Sequence, residues 1–131
     1  MQVLIFGVFD MLHPGHVYFI EQAKKQGKDL HICLATDEYV KKFKNKETIN
    51  NFDTRKEMIL KKFPNITIYK GDDEIGQWSI FKKIKPDLIV LGYDQNGLFD
   101  SLNSLNSGIK ILFTEPHLKD IYNTTKLQKL N

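Results

Sequence analysis

Four apolar residues in a row, Val3-Leu4-Ile5-Phe6, end at Gly7 and are followed after a short turn by a helical pattern. An apolar run without polar alternation reads as a buried strand. The same strand-then-helix order recurs along the chain, which restricts it to a parallel sheet built from strand-helix-strand units. The strands are expected at about Gln2–Gly7, Leu30–Ala35, Ile66–Tyr69, Asp87–Leu91 and Ile109–Phe113. Helices are expected from Pro14 to Gln26 with Gly27 as the stop, from near Asp37, from a cap at Asp53 or Thr54 through Lys62, and from Trp78 to Lys85. A final helix begins near Asn123, with Leu127 and Leu130 inward. Phe43–Asn51 and Gly92–Asp100 read as loops, and Gly71–Glu74 as a turn.

With 131 residues and 41% hydrophobic content, the expectation is one α/β domain, residues 1–131, Rossmann-like and doubly wound around a five-stranded parallel sheet. In such a sheet ligands bind outside the carboxyl ends of the strands. Net charge is +3, with the lysines dispersed and no aromatic-basic interleaving, so nucleic acid is not an expected partner. One cysteine, Cys33, excludes an internal disulfide and points to a reducing compartment. No segment is long enough for a membrane span, and strand one starts without a leader, so a cytoplasmic protein is expected.

The chemistry concentrates at the first strand-to-helix turn, Gly7-Val8-Phe9-Asp10-Met11-Leu12-His13-Pro14-Gly15-His16. Pro14 suits the first helical position, where its missing N–H costs nothing. His13 and His16, three apart, share one helical face. Free N–H groups and the dipole at a helix start favour an anion, and two imidazoles added there make a phosphate-handling site. No His, Cys, Asp and Glu cluster has zinc-like spacing, so no protein-bound metal is expected; Mg²⁺ would arrive with a nucleotide.

The pattern G-x-F-D-x-x-H-x-G-H resembles the signature of the nucleotidyltransferase superfamily that includes the cytidylyltransferases. Further along, Thr36-Asp37-Glu38, Lys44-Asn45-Lys46, Arg55-Lys56, Gly92-Tyr93-Asp94 with Phe99-Asp100, and Asn123-Thr124-Thr125-Lys126 resemble the small glycerol-3-phosphate type. The resemblance implies that His13, His16 and Lys44 are catalytic. It places Gly7, Val8, Phe9, Asp10, Gly15, Lys46, Gly92, Asn123, Thr124 and Thr125 on the nucleotide, and Asp37, Arg55, Asp94 and Lys119 on the acceptor; by position Asp10 orients a neighbouring histidine or caps the helix, and Asp94 reads the acceptor or shapes the pocket. Arg55 is the chain's only arginine, which itself suggests an acceptor phosphate; an ion pair with Asp53 or Glu57 is the alternative. Where the family reads R-T-E-G-I-S-T-T, this chain has Leu118 to Thr125, without the arginine and with Asn123 at the serine, leaving Lys119 or His117 to supply the charge.

The function so implied is transfer of CMP from CTP to a small phosphorylated alcohol, giving a CDP-alcohol and pyrophosphate, by a homodimer. The alternative is an adenylyltransferase acting on FMN, because Gly-Val-Phe-Asp and Gly92-Tyr93-Asp94-Gln95 also resemble archaeal FAD synthases. Phe99-Asp100 and the Thr-Thr-Lys element look closer to the glycerol-phosphate type. A catalytically dead nucleotide-binding subunit is the reading from another class; His13, His16 and Lys44 speak against it.

Overall fold

The structure, a computed structural model, describes residues 1–105 and 107–115. Strands β1 (Gln2–Gly7), β2 (Asp29–Leu34), β3 (Thr67–Lys70), β4 (Leu88–Leu91) and β5 (Lys110–Phe113) form one parallel sheet in the order β3-β2-β1-β4-β5. Helices α1 (Pro14–Gln26), α2 (Asp37–Phe43), α3 (Phe52–Lys62), α4 (Ile80–Lys83) and α5 (Asn96–Ser104) occupy the connections.

The apolar run of β1 is divided between two cores by the strand's two-residue period. Val3 and Ile5 join Ile20 and Ala23 of α1 and Ile59 of α3 on one face. Leu4 and Phe6 join Ile80 of α4 and Leu102 of α5 on the other. β4 alternates likewise, with Leu88 and Val90 on the first face and Ile89 and Leu91 on the second. Helices on both faces make the domain doubly wound, as the sequence predicts. The chain leaves β3 at one edge and re-enters at β4, beside β1, so the carboxyl ends of β1 and β4 flank the crevice where the strand order reverses.

Three expectations shift. Residues 92–100 are not all loop, because α5 starts at Asn96 and buries Leu102 against the second core. The cap of α3 is Asn51, whose side chain accepts the Thr54 amide at 2.9 Å, so the helix begins before Asp53. The helix expected from Trp78 to Lys85 is regular only over Ile80–Lys83, and Trp78 is held at φ 52° just before it. Gly27 does follow α1, but at φ −174°, so it is not there for a left-handed cap. A Cβ at Gly27 would stand 2.9 Å from Val3 Cγ2, so space between helix and sheet requires the glycine. No helix among the described residues is long and apolar enough to cross a membrane.

Candidate active site

The turn after β1 is wound tightly by residues that are not glycine. Phe9, Met11 and Leu12 have φ of 50°, 90° and 41°. Left-handed backbone at such residues is unfavourable and persists where the surroundings enforce it, commonly at functional sites. Phe9 shows one enforcing contact: its ring is buried beneath the turn and lies over Gly7, where a Cβ would come within 2.6 Å of it. The turn delivers His13 to the N-cap of α1. His13 Nδ1 accepts from the Gly15 amide at 3.1 Å and the His16 amide at 3.4 Å. The two imidazoles stack with centroids 3.6 Å apart, and Phe9 meets His16 edge-on at 5.3 Å.

Asp10 is engaged by the loop after α2. Its carboxylate accepts the Ile49 amide at 2.7 Å and the Asn50 amide at 3.0 Å. Burial acts to raise its pKa; these amides and the Arg55 charge outweigh burial and hold it below the ordinary carboxylate value. The expected role for Asp10, contact with the nucleotide, thus competes with an observed one, joining two loops.

Arg55 does not reach out to an acceptor. Its side chain is fully buried in the first turn of α3. Nη1 donates to the carbonyls of Val8 and Ala35, both at 2.9 Å, Nε donates to the Asn50 carbonyl at 3.0 Å, and Nη2 donates to Asp37 Oδ1 at 2.7 Å. Neither Asp53 nor Glu57 is its ion-pair partner; Asp37 is. Asp37 also accepts from Thr48 Oγ1 at 3.2 Å and from the Phe52 amide at 3.1 Å. Burial acts to raise the Asp37 pKa, but the Arg55 and Phe52 hydrogen bonds with the arginine's charge prevail and lower it. The Asp37 carboxylate is thus committed to three donors of the protein itself, though its side chain stays partly exposed.

Lys44 and Lys46 are exposed on the excursion between α2 and α3, with Asn45 between them at φ 52°. Across the crevice, Gln95 joins the ends of β1 and β4: Oε1 accepts the Gly92 amide at 2.8 Å, and Nε2 donates to the Phe6 carbonyl at 3.2 Å. Gly92 is buried, whereas Asp94 is exposed. Lys119, Asn123, Thr124 and Thr125, with His117, lie outside the described residues. Gln95 belongs to the stretch that resembles archaeal FAD synthases, but its link between two strand ends is not legible in the sequence; Thr48, on the loop after α2, carries no signal beyond its hydroxyl. Among the described residues no group of three or more His, Cys, Asp and Glu side chains is arranged to hold a metal ion.

The arrangement offers two stacked imidazoles at a helix start beside the carboxyl ends of β1 and β4, and two exposed lysines on an excursion whose returning end is bonded to the same turn through Asp10. It can receive a polyphosphate and neutralise charge built up on it.

The cytidylyltransferase-like family matches residues 4–129. The FAD synthase of Aciduliprofundum boonei is 39% identical over 97 residues, 72% of this chain and 62% of that protein. The FAD synthase of Pyrococcus horikoshii is 35% identical over 138 positions, covering 97% of this chain and 89% of its own length. The crystal structure of a lipopolysaccharide core biosynthesis protein from Thermoplasma volcanium superposes with a TM-score of 0.74 at 30% identity, over 89% of this chain and 98% of that one.

These relatives overturn the expected assignment to the glycerol-3-phosphate cytidylyltransferase type. With it fall CTP as the nucleotide and a small phosphorylated alcohol as the acceptor, since the relatives that span nearly the whole chain carry the name FAD synthase. The physical reason for the misassignment is that paired histidines and lysines handle a triphosphate whatever base it carries.

Proposed function

This chain belongs to the cytidylyltransferase-like family, and within it we propose that the protein is an adenylyltransferase that joins ATP and FMN into FAD and pyrophosphate. One observation supports this choice of substrates above others. Similarity to archaeal FAD synthases extends over 97% of the chain, including the turn that bears His13 and His16.

The phosphate of FMN is already an anionic nucleophile near neutral pH, so the reaction requires no general base. One of its oxygens attacks the α-phosphorus of ATP in line; the new P–O bond forms as the bond to the β-phosphate bridging oxygen breaks, and pyrophosphate leaves with Mg²⁺. Magnesium enters as part of the nucleotide substrate. His13 Nδ1 is engaged as an acceptor, which puts its proton on Nε2 and leaves that N–H to donate to a phosphate oxygen. His16, stacked on it, presents a second imidazole to the same region. Lys44 and Lys46 neutralise the β- and γ-phosphates, a task shared, on the family resemblance, with Asn123, Thr124 and Thr125. Gly92 leaves room for the nucleotide at the end of β4, and Asp94 faces the acceptor. Most of the acceleration then comes from positioning and preorganised charge.

The test is pyrophosphate release with each nucleoside triphosphate against FMN and a panel of phosphorylated alcohols, with the product identified by mass. ATP with FMN should give FAD as the dominant product. Turnover confined to CTP and an alcohol phosphate would refute the proposal.

A further inference from the structure

Eighteen of the nineteen Lys and Arg residues are lysine, and the single arginine is, among the described residues, the one Lys or Arg that is fully buried. A buried charge must be matched by partners or it destabilises the fold. Here the matching is specific to a guanidinium. Three nitrogens of Arg55 serve four acceptors that belong to three separate stretches: Val8 after β1, Ala35 and Asp37 around the start of α2, and Asn50 before α3. An ammonium is a compact point charge and cannot span that planar fork.

The consequence falls on the lysines. The excursion from Asp37 to Phe52 has both ends fixed at one carboxylate: Asp37 stands at the start of α2 and accepts from Thr48 and from the Phe52 amide. Asp10 takes the next two amides, Ile49 and Asn50, so the returning end is also fastened to the turn that carries His13. Lys44 and Lys46 lie within the part that remains, residues 43–47, all exposed. Closing the ends of a flexible segment restricts where its middle can be.

We propose that Arg55 is a positioning residue: through Asp37 and the Asn50 carbonyl it closes the Asp37–Phe52 excursion and thereby holds Lys44 over the nucleotide polyphosphate. The inference rests on the proposed role of Lys44 as a phosphate ligand, and not on the identity of the acceptor.

The test is a double-mutant cycle. Affinities for Mg·ATP and for AMP are measured on the wild type, Lys44→Ala, Arg55→Lys and the double variant. AMP shares the base and the α-phosphate, so it reports on a damaged fold but not on Lys44. In the wild-type background Lys44→Ala should weaken ATP by about tenfold and leave AMP within about twofold. Arg55→Lys should weaken ATP to a similar degree, and adding Lys44→Ala to it should cost no more than about a further twofold. Equal loss from Lys44→Ala in both backgrounds would overturn the inference, as would wild-type ATP affinity in Arg55→Lys. No effect of Lys44→Ala even beside Arg55 would overturn the phosphate role of Lys44 together with this inference. If Arg55→Lys does not fold, Thr48→Val carries the same cycle, because it loosens the excursion and keeps the guanidinium. Should CTP bind in place of ATP, the cycle with CTP and CMP decides the inference, and only the base chosen in the proposed function falls.

Discussion

His13 and His16 lie ring against ring, 3.6 Å between centroids, while the Nδ1 of His13 accepts the amide of His16 itself. One residue therefore caps α1 and, in the proposed mechanism, offers a donor to a phosphate, and the two roles can be separated. His13→Ala and His16→Ala should each lower turnover by at least about 10²-fold, the loss typical of a transition-state donor. His13→Ala should also lose about 1 kcal/mol of stability with its cap. His13→Asn restores a capping oxygen without restoring the distant donor, so its melting temperature should recover while its turnover stays low. Full turnover in His13→Asn would assign the histidine to capping alone.

Gly7→Ala tests whether the strained turn is set by the Phe9 ring. The added methyl would meet that ring at 2.6 Å, and Phe9 is nearly fully buried, so it has no open space to move into. Overpacking of this kind costs about 1–3 kcal/mol. Chemical denaturation should show the loss, and ATP affinity should fall with it, because the turn places His13. Stability and affinity both at wild-type level would show that the turn can rearrange freely.

The strands were legible because each is a short apolar run between turn residues, and β1 matches its expected range to the residue. The helix over 96–104 was not: Asn96-Gly97 at its start and three serines and asparagines within it disguise a helix whose inward face is carried by Leu98, Phe99 and Leu102. At the site, the histidine turn was legible because glycine, proline and paired histidines each require a particular place in it. Arg55 was singled out correctly as unusual and assigned to the wrong surroundings, since a lone arginine gives no indication of whether backbone carbonyls or a ligand will take its protons. Base preference leaves no mark in paired histidines and lysines, whose charge and donors suit a phosphate whatever base it carries.

Asp10 and Asp37 link the site to acid stability. Each has a folded-state pKa below the ordinary value of 3.8. A lowered carboxylate pKa contributes stability that is present above the unfolded value and is lost as pH falls through the folded one. Wild-type stability should therefore decline as pH drops below about 4, with both carboxylates contributing to the slope. Asp37→Asn should be less stable at neutral pH, where it leaves Arg55 without its counter-charge, and flatter on the acid side. Denaturant titrations across this range check both. An acid slope unchanged in both Asp10→Asn and Asp37→Asn would place the decline on other carboxylates.

Cys33, on β2, packs against the second core, where burial first and the nearby Asp72 charge second push its thiol up to about 11, opposed in part by Lys83. Thiolate is the reactive form, so at about pH 8 roughly one molecule in 10³ is poised to react, against about one in ten for an unperturbed thiol of the same reference value. Alkylation by iodoacetamide should then be at least about 10²-fold slower in the native protein than in denaturant, where the burial is gone. Saturating ATP should not change the native rate, because Cys33 sits behind the sheet from the histidine turn, on the face shared with Leu4 and Phe6. A native rate within about tenfold of the denatured one would mean that this face opens readily.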